Sequence, residues 1–129
     1  MERYKSWINR ARSSYELSKA TISTAICLED LCYQAQQAVE KSLKGFLIYF
    51  NAEPEFTHNI GKLLNELKKH TEIPESVKEA MDLTNYAVQT RYPGDYDEIT
   101  REEYENSVRI AKNCMDWVES KIIELKEQN

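Results

Sequence analysis

The sequence predicts an all-α fold, an up-and-down antiparallel helical bundle of four long helices plus one short helix. Three observations carry that prediction. Apolar residues recur at mixed three- and four-residue spacing through most of the chain, as one face of a helix requires. Breakers are few, 3 Gly and 3 Pro in 129 residues, and they separate these patterns instead of dividing alternating ones. The connections are short, which favours antiparallel neighbours.

The first helix is expected from about Glu2 to Ser23, with Tyr4, Trp7, Ile8, Ala11, Tyr15, Ser18 and Ile22 on one side and Arg3, Lys5, Arg10 and Glu16 opposite. The second, from about Leu28 to Phe50, lines up Leu28, Cys32, Ala35, Val39, Leu43, Phe46 and Phe50 and reads as the central core helix. After the loop "NAEPEFTHN", Thr57 is placed to cap a short helix bearing Ile60, Leu63, Leu64 and Leu67. A fourth helix starts around Pro74, a residue tolerated in a first turn whose N–H groups lack partners, and directs Val77, Ala80, Met81, Thr84, Ala87 and Val88 inward until about Thr90. Pro93-Gly94 breaks the chain, and Thr100 with Glu103 has capping-box spacing. The last helix then carries Tyr104, Val108, Ala111, Met115, Val118, Ile122 and Leu125 on one face. Trp7 and Trp117 are expected at the seam between first and last helices.

Residues 1–129 are the size of one domain with one core. With 17 basic and 22 acidic residues the formal charge is -5, so nucleic-acid binding would need a local basic patch and not a global field. No apolar run is long enough to span a bilayer and the start lacks the apolar core of a signal peptide, so a cytoplasmic chain without membrane contact is expected. Cys27, Cys32 and Cys114 form no CxxC pair and read as free, buried thiols.

On the second helix, residues advance by about 100°. With Val39 at the centre of the core stripe, Tyr33, Gln36, Glu40 and Leu47 fall on one flank, while Gln37, Lys41, Lys44 and Ile48 point away. Glu40 and Lys44 have the favourable order of an exposed pair four residues apart. Ile48 and Leu47 amid polar residues imply that another chain or helix covers them. Tyr33, Gln37, Leu47 and Ile48 are therefore the candidate contacts of a homodimer.

The stretches "YQAQQAVEKSLKGFLIYF", "THNIGKLL" and "RYPGDY", in that order and separation, resemble a HEPN domain, the higher-eukaryote and prokaryote nucleotide-binding family. The resemblance covers nearly the whole chain. It implies a helical bundle that dimerises, needs no cofactor or metal, and in prokaryotes partners a small nucleotidyltransferase in a pair resembling a toxin and its antitoxin. Nucleotide or RNA binding would then fall to Lys41, Lys44, His58, Arg91 and Tyr92: Arg91 clasping a phosphate, Tyr92 stacking on a base, and His58 in the first turn of the third helix. Plainer readings stand beside these: Arg91 paired with Asp95, Asp97 or Glu98, a surface histidine, and solubilising lysines.

Many members of the wider family are metal-independent ribonucleases with an arginine followed by a histidine four to six residues later. Neither His58 nor His70 has an arginine at that distance, and Arg91 has no histidine after it. Arg91 cannot replace a histidine base, because its guanidinium stays charged. No catalytic residue is assigned on this reading. A ribonuclease with an atypical site and a free-standing nucleotide-binding protein remain the alternatives. The chain has no P-loop, GxSxG, HExxH, EF-hand loop or zinc-ligand spacing, and the Glu-x-x-His spacing that a carboxylate-bridged di-metal bundle needs on two helices occurs once, at Glu55 and His58.

Overall fold

The computed structural model describes residues 2–20, 23–87 and 98–128, which form helices and turns without a strand. The helices are α1 (Arg3–Ser18), α2 (Leu28–Tyr49), α3 (Ile60–Leu67), α4 (Glu75–Lys78) and α5 (Arg101–Glu127), and a 3-10 helix, Glu79–Tyr86, continues from α4. Ile22, Val88, Arg91, Tyr92 and the Pro93-Gly94 break lie outside the described residues.

α2 is the central element, with 13 of its 22 residues buried, too many for a helix packed along one stripe. α1 runs antiparallel to it. The Tyr4 and Tyr49 rings meet edge to face with centroids 5.3 Å apart, while further along Lys41 Nζ donates to Ser14 Oγ at 2.9 Å. Gly45 lets the two backbones approach: a Cβ there would stand 3.0 Å from Ile8 Cδ1, 3.1 Å from Trp7 Cβ and 3.2 Å from the Tyr4 carbonyl oxygen. α5 lies along α2 in the same direction, with Tyr104 clustered beside Leu31 and Cys32 and Trp117 edge-on to Phe46 at 5.4 Å. Both tryptophans therefore pack on α2, whereas the seam between α1 and α5 is lined by Tyr4, Ile8, Ile122 and Ile123.

The return leg between α2 and α5 differs from the long α-helix expected there. Ile73, Val77, Ala80 and Leu83 are buried, whereas Met81 is 48% exposed. Val77, Ala80, Leu83 and Tyr86 repeat every third residue, which aligns them on one edge of a helix with about three residues per turn and would smear them round an α-helix. Asp82, Thr84 and Asn85 add side chains that compete with helical backbone bonds. Bundle topology survives with three long helices and this short composite leg.

Helix ends are held by specific partners. α2 closes with Asn51 at φ 62°, the Asn51 N–H donating to the Ile48 carbonyl and the Ala52 N–H to the Leu47 carbonyl, both at 2.9 Å. That pair of bonds is the Schellman arrangement, and asparagine is the residue besides glycine that tolerates this backbone. α3 is capped by Asn59, which accepts from the Lys62 N–H. Thr57 lies two residues too early, and its hydroxyl accepts from the Asn59 N–H instead. Thr84 Oγ1 accepts from the Ile60 N–H, tying α3 to the 3-10 helix. Thr100 caps α5 through the Glu103 N–H, but the Glu103 carboxylate turns to the Tyr86 hydroxyl, so only half of the capping box forms. α1 stops at Ser18, where the Tyr104 hydroxyl donates to the Ser18 carbonyl at 2.6 Å. Cys32 and Cys114 are buried free thiols, but Cys27 is exposed as the residue preceding α2.

Gly45→Leu is expected to lower stability by about 2–3 kcal/mol, because the contacted atoms include α1 backbone that moves only with the whole helix. Equilibrium urea unfolding measures this; an unchanged midpoint and slope would contradict the close approach.

Candidate functional site

The buried side of α2 contains charge. Gln36, Glu40 and Lys44 are spaced four residues apart and so share a face, and each is buried: 0%, 4% and 7% exposed respectively. Lys44 Nζ donates to Glu40 Oε2 at 3.0 Å. Gln36 Nε2 donates to Glu40 Oε1 at 3.1 Å and also approaches the His58 carbonyl at 3.3 Å. His58 Nδ1 lies 2.8 Å from Glu40 Oε1, and a carboxylate can only accept, so Nδ1 carries the proton. Gln37 Nε2 completes the chain by donating to Gln36 Oε1 at 2.8 Å.

Glu40 is the hub of this cluster. Burial pushes its carboxyl upward, but hydrogen bonds from His58, Gln36 and Lys44 and the nearby ammonium outweigh burial and hold it below the usual carboxylate range. An isolated anion at this depth would be expelled or neutralised; here every partner favours the charged form. The hub also fastens the loop after α2 to the helix, since His58 belongs to that loop and its side chain is 64% open to solvent.

The surface above the hub is cationic and aromatic. The Lys44 ammonium lies 5.8 Å from the centroid of the Trp7 ring and 5.9 Å from that of Phe56, within cation–π range. Phe56 is fully exposed. On α1, Arg3, Ser6, Trp7 and Arg10 line a shallow cavity of about 260 Å³. Arg3 is held by a forked pair of 2.8 Å bonds to Glu53.

The residues expected from sequence separate into groups. Lys44 and His58 come together through Glu40. Lys41 turns to the other side and meets Ser14 of α1; burial pushes its ammonium down, Glu40 opposes that, and Arg10 adds to it. Lys44 does not point into water as the helical projection required, because loop and α1 groups enclose the side of α2 opposite Val39. Arg91 and Tyr92 lie outside the described residues. Of the candidate dimer contacts, Tyr33 and Gln37 are half-buried. Leu47 is 1% exposed within one chain and has no surface to offer a second. Ile48 packs against the same core, so α1 and the core already account for its apolar character. Sequence reasoning missed Gln36 and Glu40 as site residues, although their spacing with Lys44 was visible.

Among the described residues, no cluster of His, Cys, Asp or Glu has an arrangement that could hold a metal ion, and no helix is long and apolar enough to cross a membrane. Fold and site together define a small all-α bundle whose central helix carries a satisfied charged hub beneath a cation–aromatic surface. The sequence model of the HEPN domain matches residues 4–121, and the chain belongs to that family. Its fold is similar to TT1696 from Thermus thermophilus, at TM-score 0.77 and 30% identity over 94% of this chain and 99% of that one. It is also similar to ST0689, described as an archaeal HEPN homologue, at TM-score 0.74 and 27% identity over 95% of this chain and 99% of that one. No curated protein matches the chain.

Glu40→Gln is expected to cost about 3 kcal/mol, since it removes the anion and leaves the Lys44 ammonium buried without a counter-charge. Because the Glu40 carboxyl is held low in the folded state, its contribution is present above the unfolded value of about 4.3 and is lost as pH falls through the folded value. The gap between wild type and Glu40→Gln should narrow from pH 5 to pH 3 in denaturant titrations; a constant gap would remove the ionised hub.

Proposed function

We propose that this HEPN protein is a binding module and not a ribonuclease: a homodimer that partners a small nucleotidyltransferase, in a pair of toxin–antitoxin type, and holds nucleotide phosphate on its basic side. The observation that carries this reading is the missing arginine: none precedes His58 or His70 at the spacing that ribonuclease members of the family use. Family membership supports the dimer, since HEPN domains often dimerise. Leu17, Phe56, Met81 and Ile123 are large apolar side chains left exposed by a single chain, which supports a protein partner or second copy.

One observation favours the ribonuclease alternative. A carboxylate fixing Nδ1 of a largely exposed imidazole is the arrangement that orients a histidine for proton transfer. The readings separate in a cleavage assay with a labelled structured RNA and no added metal. The binding-module reading predicts no cleavage by wild type, His58→Ala or Arg91→Ala. Wild-type cleavage lost in a folded His58→Ala variant would replace it with an enzyme. Light scattering across micromolar concentrations is expected to give twice the monomer mass, and co-purification with a nucleotidyltransferase encoded next door tests the partner.

A further inference from the structure

The cation–aromatic surface has a more specific use than general phosphate affinity. In a chain of net charge -5, Arg3, Arg10 and Lys44 gather around Trp7 on adjoining parts of α1 and α2. Trp7 and Phe56 present two rings to one ammonium, 5.8 and 5.9 Å away. Lys44 is bonded to Glu40 and Arg3 is clamped by Glu53, so these cations shape the surface more than they compete for ligand. Arg10 is exposed and shares the cavity with the Ser6 hydroxyl and the indole. Phe56 lies wholly in water, so an apolar or π-rich ligand stacked on its ring would remove that apolar area from solvent.

We propose that this face binds single-stranded nucleic acid, one base stacking on Phe56 and the next on Trp7, with the linking phosphate held by Arg10 and Ser6. Aromatic platforms beside guanidinium and hydroxyl donors are what a flexible strand requires, and they read no particular sequence. The Glu40 hub contributes by fixing the loop that carries Phe56. The inference rests on the nucleotide-binding reading above and gives that binding a place and a ligand class. A free nucleotide shares the same chemistry but spans only one ring.

The test is fluorescence anisotropy of a fluorescein-labelled 12-residue oligoadenylate RNA at low salt, with AMP and inorganic phosphate as competitors. Arg10→Ala and Phe56→Ala alter exposed side chains, and their folding is checked by thermal melts. Each should weaken binding about tenfold, whereas Arg109→Ala and Lys112→Ala on α5 should leave it within twofold. AMP should compete more weakly than unlabelled RNA, and phosphate more weakly still. Equal affinity in wild type, Arg10→Ala and Phe56→Ala would overturn the location while leaving nucleotide binding intact. AMP competing as well as the RNA would overturn the two-ring strand site in favour of a mononucleotide site. No binding by wild type would overturn the nucleotide-binding reading itself and this inference with it. A Phe56→Ala variant that changes oligomeric mass with unchanged RNA affinity would assign the ring to protein contact instead.

Discussion

The enclosure of Glu40 is the constraint around which the molecule is organised. A carboxylate at 4% exposure on the central helix must be surrounded by donors, and the structure supplies them from two parts of the chain: Gln36 and Lys44 on α2 itself, and His58 from the loop that follows. The requirement dictates local geometry. The loop must return along α2 far enough to present the His58 ring, and α3 then starts where Asn59 and Thr84 can satisfy its first free N–H groups. Pairing of this kind adds modest net stability compared with an apolar core, but it penalises every arrangement in which the partners do not meet.

The helices and their faces were legible in the sequence because periodicity depends only on which residues are apolar. α2 and α5 were located to within a residue or two, as was the apolar face of α3. The return leg was not, since Val77, Ala80 and Met81 fit an α-helical face as well as Val77, Ala80 and Leu83 fit a 3-10 edge. Asn59 and Thr57 are both good caps two residues apart, and geometry alone chooses between them. Lys44 shows a deeper limit. A favourable Glu–Lys pair four residues apart reads the same on a solvated face and in a buried cluster, and a helical projection centred on one core stripe cannot show that other elements close over the opposite side. Of the residues expected to bind phosphate, Lys44 and His58 lie together because both bond the Glu40 carboxylate, which the sequence reading assigned to the surface.

Structure and chemistry divide between two layers of the same region. The lower layer, Gln36, Glu40, Lys44 and the His58 ring, is mutually bonded and fixes the loop. The upper layer consists of exposed Arg10 and Phe56 with half-buried Trp7. Family membership and the two structural likenesses establish the bundle. Beyond the bundle itself, Arg3, Arg10 and Lys44 gather around Trp7 and Phe56 is wholly exposed, in a protein whose overall charge is acidic.

The most direct measurement of the hub is the tautomer of His58, read from long-range nitrogen–proton correlations of the imidazole rings near pH 8. His70, stacked on Phe50 with centroids 5.0 Å apart and in no contact with Glu40, serves as the internal reference. Neutral His58 is expected to carry its proton on Nδ1, with a protected N–H resonance, while His70 shows the ordinary exchange of an exposed ring. Equal behaviour of both rings, with the His58 proton on Nε2, would mean that the loop is not fastened to Glu40 and that the surface above it is not organised by the buried charge.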